Sequence, residues 1–224
     1  MVEEVRTGRG VEDGRVGGEP LVKEIRLYIE GGGDTRYGKE RLRAGFSRFF
    51  SALIERGRSS NIRWVFVMCG PRDAAFKSFK QALKDHPSAF NILLVDSEGP
   101  VKMRPWAHLA SRDPWTRPRN ASEDSCHLMV QTVEAWLMAD LVTLQQYYGR
   151  NFAVGRLPRA TDVEAIPKTA LGPALVSATK TTQKGEYHKI HHCSDLLGKV
   201  DPALVRARAP HCERLFTVLE GLLA

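Results

Sequence analysis

The strongest constraint on this chain is a rhythm of short apolar runs separated by segments of helical period. Ile62 to Met68 (IRWVFVM) and Asn91 to Val95 (NILLV) are almost continuously apolar over the length of a strand. Runs of that kind are strands buried on both faces, as in parallel sheets. Upstream, in KEIRLYIEGGGD, Ile25, Leu27 and Ile29 alternate with Arg26, Tyr28 and Glu30, a period-two strand that stops at three glycines. Between the first two runs, Leu42, Phe46, Phe49, Phe50, Leu53 and Ile54 share one face at 3.6-residue spacing. Arg41, Arg43, Arg48 and Arg56 occupy the rest of that helix, and Gly57 is placed to cap it. A shorter helix from about Asp73 to Lys84 turns Phe76, Phe79 and Leu83 inward. Strand, helix, strand, helix, strand with short connections predicts a parallel sheet with right-handed crossovers, hence an α/β fold.

A fourth strand, His127 to Gln131, leads into a helix from about Thr132 that contains Val133, Trp136, Leu137, Leu141 and Leu144. Past Tyr147 the pattern is irregular, with a short strand at Phe152–Val154 and helices near Leu171–Thr179 and His211–Leu223. The reading divides the chain into a glycine-rich flexible leader (1–22), an α/β core (23–146) and a mostly helical C-terminal extension packed on it (147–224). With 42% hydrophobic and 26% charged residues, wholesale disorder is excluded. No run approaches the ~18 apolar residues of a membrane span, and the leader lacks the apolar centre of a signal peptide. Cys69, Cys126, Cys193 and Cys212 form no CxxC pair, which argues against a zinc ribbon and for reduced thiols. The expected setting is the cytoplasm.

Charge is unevenly distributed. Residues 1–22 carry five acids against three bases, so the net +7 of the chain becomes +9 on the remainder. A basic body attracts phosphate-rich partners such as DNA or RNA. The segment 102–119 (KMRPWAHLASRDPWTRPR) has no period, and it concentrates Lys102, Arg104, Arg112, Arg117 and Arg119 around Trp106 and Trp115. It reads as a long loop that either grips a nucleic-acid backbone with an aromatic stacked on a base, or folds its tryptophans onto the core.

Ligands of open α/β sheets bind at the carboxyl ends of the strands. The first strand ends in Glu30, and the third delivers Asp96 and Glu98. If those strands are neighbours, three carboxylates meet at one edge and repel one another unless a cation sits between them. A hard divalent ion, Mg²⁺ or Mn²⁺, takes oxygen ligands and leaves positions open for phosphate. Gly31, Gly32 and Gly33 would let a phosphate or ion approach the backbone. Asp34 is either a further ligand or the N-cap of the next helix.

Glu30-Gly31 at a strand end, followed by Asp96-Ser97-Glu98-Gly99 after a buried strand, resembles the TOPRIM domain of topoisomerases, primases and OLD-type nucleases. Where TOPRIM domains usually carry Asp-x-Asp, the second acid here is Glu98, one methylene longer. VQTVEAWLMAD (Val130–Asp140), GEYHKIHHCSDLL (Gly185–Leu197) and PHCERLF (Pro210–Phe216) resemble a bacterial family of unknown function with TOPRIM-like character. Its members are often encoded beside ABC- or AAA-type ATPases, in arrangements similar to phage-defence modules. The resemblance implies a TOPRIM-like Rossmannoid sheet and a Mg²⁺-dependent nuclease. Glu30 would be metal ligand or general base, and Asp96 and Glu98 metal ligands. Glu134 gains a catalytic reading from its EAWLMAD context, although the helix dipole alone also favours an acid there. Trp136 reads as core.

His188, Lys189, His191, His192 and Cys193 are dense enough to suggest zinc, but no second ligand pair follows at finger spacing. Lys189 as a phosphate contact, with His188 or His192 assisting, suits a nuclease better. Two functions remain open: a metal-dependent nuclease, and a non-catalytic nucleic-acid-binding or regulatory subunit of an ATPase complex. Primase-type nucleotidyl transfer is weaker, and the absence of a GxxxxGK[ST] loop argues against a P-loop ATPase. The nuclease reading requires the first and third strands side by side, with Glu134 and Lys189 or a histidine facing the same cleft.

Overall fold

A computed structural model describes residues 22–224. The leader expected over 1–22 thus lies, save its last residue, outside the described residues. β1 (Glu24–Glu30) is followed by α1 (Arg36–Phe49), α2 (Ser51–Ser59), β2 (Arg63–Gly70), α3 (Arg72–Asp85) and β3 (Phe90–Asp96). Then come α4 (Pro105–Arg112), β4 (Cys126–Met129), α5 (Val133–Met138), α6 (Leu141–Tyr148), α7 (Lys168–Thr179), α8 (Ser194–Leu197), α9 (Pro202–Arg208) and α10 (Pro210–Gly221). The sheet order is β2-β1-β3-β4 with every pair parallel, so β1 and β3 are neighbours as the acid geometry requires.

Both faces of the sheet are covered, which is why β2 and β3 read as apolar runs, while β1 keeps Arg26 among its buried residues by pairing it with Glu24. On one face Ile25, Leu27, Ile29, Ile92 and Leu94 pack against Phe46 and Phe50 of α1 and its C-cap, and against Trp136 and Phe216. Phe49 stacks on Trp136 at 5.3 Å between centroids, confirming Trp136 as core. This cluster mixes residues from both sides of position 147, and α8 packs on α1 while α10 packs on β4. On the other face Tyr28, Leu93 and Val95 meet Phe76, Phe79, Trp106 and Trp115.

Several expectations are corrected. The apolar helix after β1 is two helices joined at Phe50, and Gly57 lies within the second rather than capping it. Its missing side chain makes room for Trp64, whose Nε1 would lie 2.4 Å from a Cβ there. The 102–119 segment is not a continuous loop: Pro105 opens α4 at a position where proline is favoured, and a short helix that starts on proline has the look of a loop. Trp106 and Trp115 are buried, Trp115 stacked on Phe76 at 4.5 Å, so neither is a base platform. Phe152–Val154 is not a strand but leads into a 3₁₀ turn (Val154–Arg156). The helix after β4 is broken at Asp140 into α5 and α6. All four cysteines are buried and unpaired. No described helix is long and apolar enough to cross a membrane.

Candidate functional site: an acid-lined cleft at the sheet edge

The carboxyl ends of β1 and β3 meet at the centre of the sheet edge. At the end of β1 the register shifts, so that Ile29 faces Met68 and Glu30 faces Gly70. Gly31 and Gly70 then exchange both backbone hydrogen bonds, at 2.8 and 3.1 Å. Gly31, Gly32 and Gly33 all have positive φ, a path open to glycine at no steric cost. Gly38 on α1 is equally constrained, because a Cβ there would lie 2.3 Å from the Gly32 carbonyl oxygen. The glycine turn thus seats against α1 and aims Glu30 at the edge.

Glu30, Asp96 and Glu98 each offer a carboxylate oxygen within 4.8 Å of the others. The structure therefore brings together the three acids picked from the strand ends. Their charges are already countered by the chain. Arg72, at the start of α3, donates to Glu30 Oε2 at 3.1 Å and to the Asp96 carbonyl, and it pairs with Asp113 at 2.8 Å. Its guanidinium lies 4.9 Å from the Trp115 ring centroid, which fixes its plane. Glu30 Oε2 also accepts the Asp96 backbone N–H at 3.1 Å.

Asp96 Oδ1 accepts the Val133 backbone N–H at 2.9 Å, at the start of α5. Lys189 Nζ lies 3.3 Å from both Asp96 Oδ2 and Glu134 Oε2, and the Tyr187 hydroxyl donates to Glu134 Oε1 at 3.3 Å. Glu134 and Lys189 therefore share the site with the three acids. Glu98, at positive φ, pairs with Lys168 and lies 3.7 Å from Arg112.

Electrostatics follow from this crowding. Burial pushes the Asp96 carboxyl up to about 7; Lys189 opposes that, while Glu30 and Glu134 add to it. Glu30 is raised for the same first reason, burial, against the pull of Arg72. Lys189, between two carboxylates, is held above its ordinary value despite its desolvation.

The acids open on a cleft of about 430 Å³ lined by the three glycines, by Leu42, Phe46, Met129 and Val133, and by His188 to Ile190. The wall holding Lys189 is a π-helical turn, Lys189–Cys193. His188 lines the cleft, whereas the His192 ring sits among Tyr147, Tyr148 and Tyr187, and its Nδ1 accepts the His188 N–H at 3.0 Å. His192 thus holds the turn together.

Asp34 is exposed and outside the three-acid group, and the cap of α1 is Thr35, which accepts the Gly38 N–H at 3.1 Å. Of the basic candidates, Arg112 is paired with Asp113 and Arg117 with Glu123. Lys102, Arg104 and Arg119 are exposed. Two site residues escaped the sequence reading. Arg72 follows the Gly70 end of β2, the same strand-end position that revealed Glu30 and Asp96, but a search confined to acids passes over it. Lys168 lies 70 residues from Glu98 at the start of α7, and no local signal marks it.

Fold and site together define an α/β protein whose parallel sheet presents a carboxylate cluster, bounded by cations, to an apolar cleft. The chain belongs to the family described as a domain of unknown function (DUF4276), whose model matches residues 29–220 and so spans every residue of the cleft. No curated protein and no solved structure matches the chain.

Proposed function

We propose that the protein is a metal-dependent phosphodiesterase of the TOPRIM type, a nuclease acting on DNA or RNA. The observation that carries this reading is the convergence of Glu30, Asp96 and Glu98 within 4.8 Å at the carboxyl edge of the sheet. An all-oxygen, all-carboxylate donor set suits Mg²⁺ or Mn²⁺, and Glu30, Asp96 and Glu98 would hold the ion. Such ions supply Lewis acidity and charge neutralisation to phosphoryl oxygens. Arg72 fixes Glu30 through Oε2, leaving Oε1 outside those bonds to accept a proton from an attacking water. Lys189, half exposed above Asp96 and Glu134, is placed to meet a substrate phosphate oxygen as it draws charge. The apolar floor of the cleft limits water around these charges and strengthens them.

The resemblance to families encoded beside ABC- or AAA-type ATPases extends the proposal to an effector that works with such a partner, as in phage-defence modules. One observation favours a second reading, a binding or regulatory subunit: every acid of the cluster already has a cation of the chain beside it. Cleavage of single- and double-stranded DNA and RNA decides between them, measured with Mg²⁺ or Mn²⁺ and with and without an ATPase encoded nearby. Metal-dependent cleavage lost in Asp96→Asn supports the nuclease. Equal behaviour of wild type and Asp96→Asn overturns it in favour of the binding subunit.

A further inference from the structure

A second charged feature lies on the other layer of the molecule. Lys77, Lys80 and Lys84 recur along one exposed face of α3 and, with Arg119, line a groove of about 490 Å³ floored by Leu83, Pro118 and Asn120. Lys77, Lys84 and Arg119 have no ion-pair or hydrogen-bond partner among the described residues, and Lys80 is steadied only by the Phe76 ring, 4.5 Å from its Nζ. The nearby acid Asp85 is tied to Gln81 Nε2 at 2.8 Å. Some cations elsewhere, such as Arg112, Arg117, Arg206 and Arg214, meet carboxylates, while others such as Lys102 and Arg104 stand exposed without one among the described residues but lie outside this groove.

We propose that this groove is a docking track for the phosphate backbone of a nucleic acid. The four cations outnumber the one nearby carboxylate, Asp85, and cations gathered in excess repel one another unless further anions come between them. Lys77 to Lys84 spans roughly 10 Å along the helix axis at about 1.5 Å per residue. That length matches about three phosphates of one strand at about 3.4 Å per nucleotide along a duplex. A ladder of evenly spaced single anions suits such a row better than a lone phosphate. α3 begins at Arg72, which holds Glu30, and Lys77 follows it by about 7–8 Å along the axis. The track is therefore continuous with the helix that anchors the cleft. Binding there does not depend on cleavage and stands or falls separately from it.

The test is fluorescence anisotropy of the full chain with labelled single- and double-stranded DNA and RNA, in EDTA, between 50 and 200 mM salt. The groove variant replaces Lys77, Lys80, Lys84 and Arg119 by Gln, and a charge-matched control replaces Arg56, Arg58, Arg150 and Arg159 by Gln. For duplexes the groove variant should flatten the plot of log affinity against log salt by about 0.9 per lost contact, about 3 to 4 in all. For single strands the change is about 0.7 per contact, and the control should keep the wild-type slope. The single variant Lys84→Gln, expected to lose about one contact, serves if the quadruple variant fails to fold. An unchanged slope in the groove variant, or an equal fall in the control, overturns the proposal. So does retained nucleic-acid binding accompanied by lost binding to anionic vesicles or polyglutamate, which would assign the groove to a membrane or an acidic protein.

Discussion

Asp96 and Asp140 are almost equally buried, at 5% and 3% exposure, yet they sit in opposite electrostatic states. Asp140, between α5 and α6, accepts the Thr143 N–H with Oδ1 and the Asp201 N–H with Oδ2, both at 3.0 Å. Burial raises its carboxyl, but those backbone donors outweigh it and hold the group below its ordinary value. Asp96 is pushed up to about 7 first by burial, with Lys189 pulling it down, Glu30 and Glu134 adding to the rise, and a single backbone donor to offset it. Glu164 resembles Asp140, with both oxygens taken by the N–H and ring Nδ1 of His211 at 2.8 and 2.6 Å. A buried acid by itself therefore indicates a joint in the fold. Acids crowded together and opened on a cleft indicate a place where something else is meant to bind.

The largest expected difference is in activity. Asp96→Asn should lower metal-dependent cleavage on the order of 10³-fold, the several kcal/mol of charge stabilisation lost with a ligand. Asp140→Asn should leave the rate within about threefold, since only stability is at stake. Equal losses in a cleavage assay would erase the distinction between the two acids.

Stability should move in the other direction. Asp140→Ala removes a helix cap worth about 1 kcal/mol and the bond to the Asp201 N–H, worth about 0.5–1 kcal/mol because Asp201 is exposed to water, a loss that urea unfolding should read as about 1–2 kcal/mol. Asp96→Asn should be neutral, or stabilising by about 1 kcal/mol at pH 8, because a crowded buried charge is removed.

The dependence on pH sharpens this. Asp96, at about 7 folded against 3.8 ordinarily, keeps a proton that the unfolded chain has lost, so its contribution falls as pH rises from about 4 to 7. His127, on β4, is pushed down to about 3 by burial and then by Arg214, whose Nη1 donates to its Nδ1 at 3.0 Å. The unfolded chain takes up that proton below about 6.5 and the folded chain does not, so stability falls as pH falls toward 3. In wild type the two slopes oppose each other. Asp96→Asn should expose the His127 limb as a loss on the order of 1 kcal/mol per pH unit below 6.5, and His127→Gln should expose the Asp96 limb. Unchanged slopes in unfolding titrations would mean that Asp96 is not crowded.

The smallest effect belongs to the loop between β1 and α1. Thr35→Ala should cost about 1 kcal/mol as a lost cap. Asp34→Ala should change stability by less than about 0.5 kcal/mol and cleavage by less than about threefold. A larger loss of activity at Asp34 would return it to the proposed metal-binding group.

The strands and the acids at their ends were legible because both follow from local rules. A strand buried on two faces must be apolar throughout, and the topology of a parallel sheet puts its ligands at the carboxyl edge. Glu30, Asp96 and Glu98 follow from the sequence on that basis. The 102–119 segment misled because its helix is one short run opened by Pro105, and because the burial of Trp106 and Trp115 depends on Phe76 and Phe79, which lie on a different element.

What the sequence determined by itself is the alternation of elements, the parallel sheet and the three strand-end carboxylates, since each is set by patterning within a few residues. Of the cations that meet those acids, Lys189 alone is expected at the cleft from the sequence, and the tertiary structure decided the pairings. Arg72, Lys168 and Lys189 reach Glu30, Glu98 and Asp96 across 42, 70 and 93 residues of chain. It also decided that Asp96 is crowded while Asp140 is satisfied, and that Lys77, Lys80, Lys84 and Arg119 stand together with no ion-pair partner among the described residues. The physical reason is that charge interactions depend on distance through space and on burial, and both are fixed only when the helices pack onto the sheet.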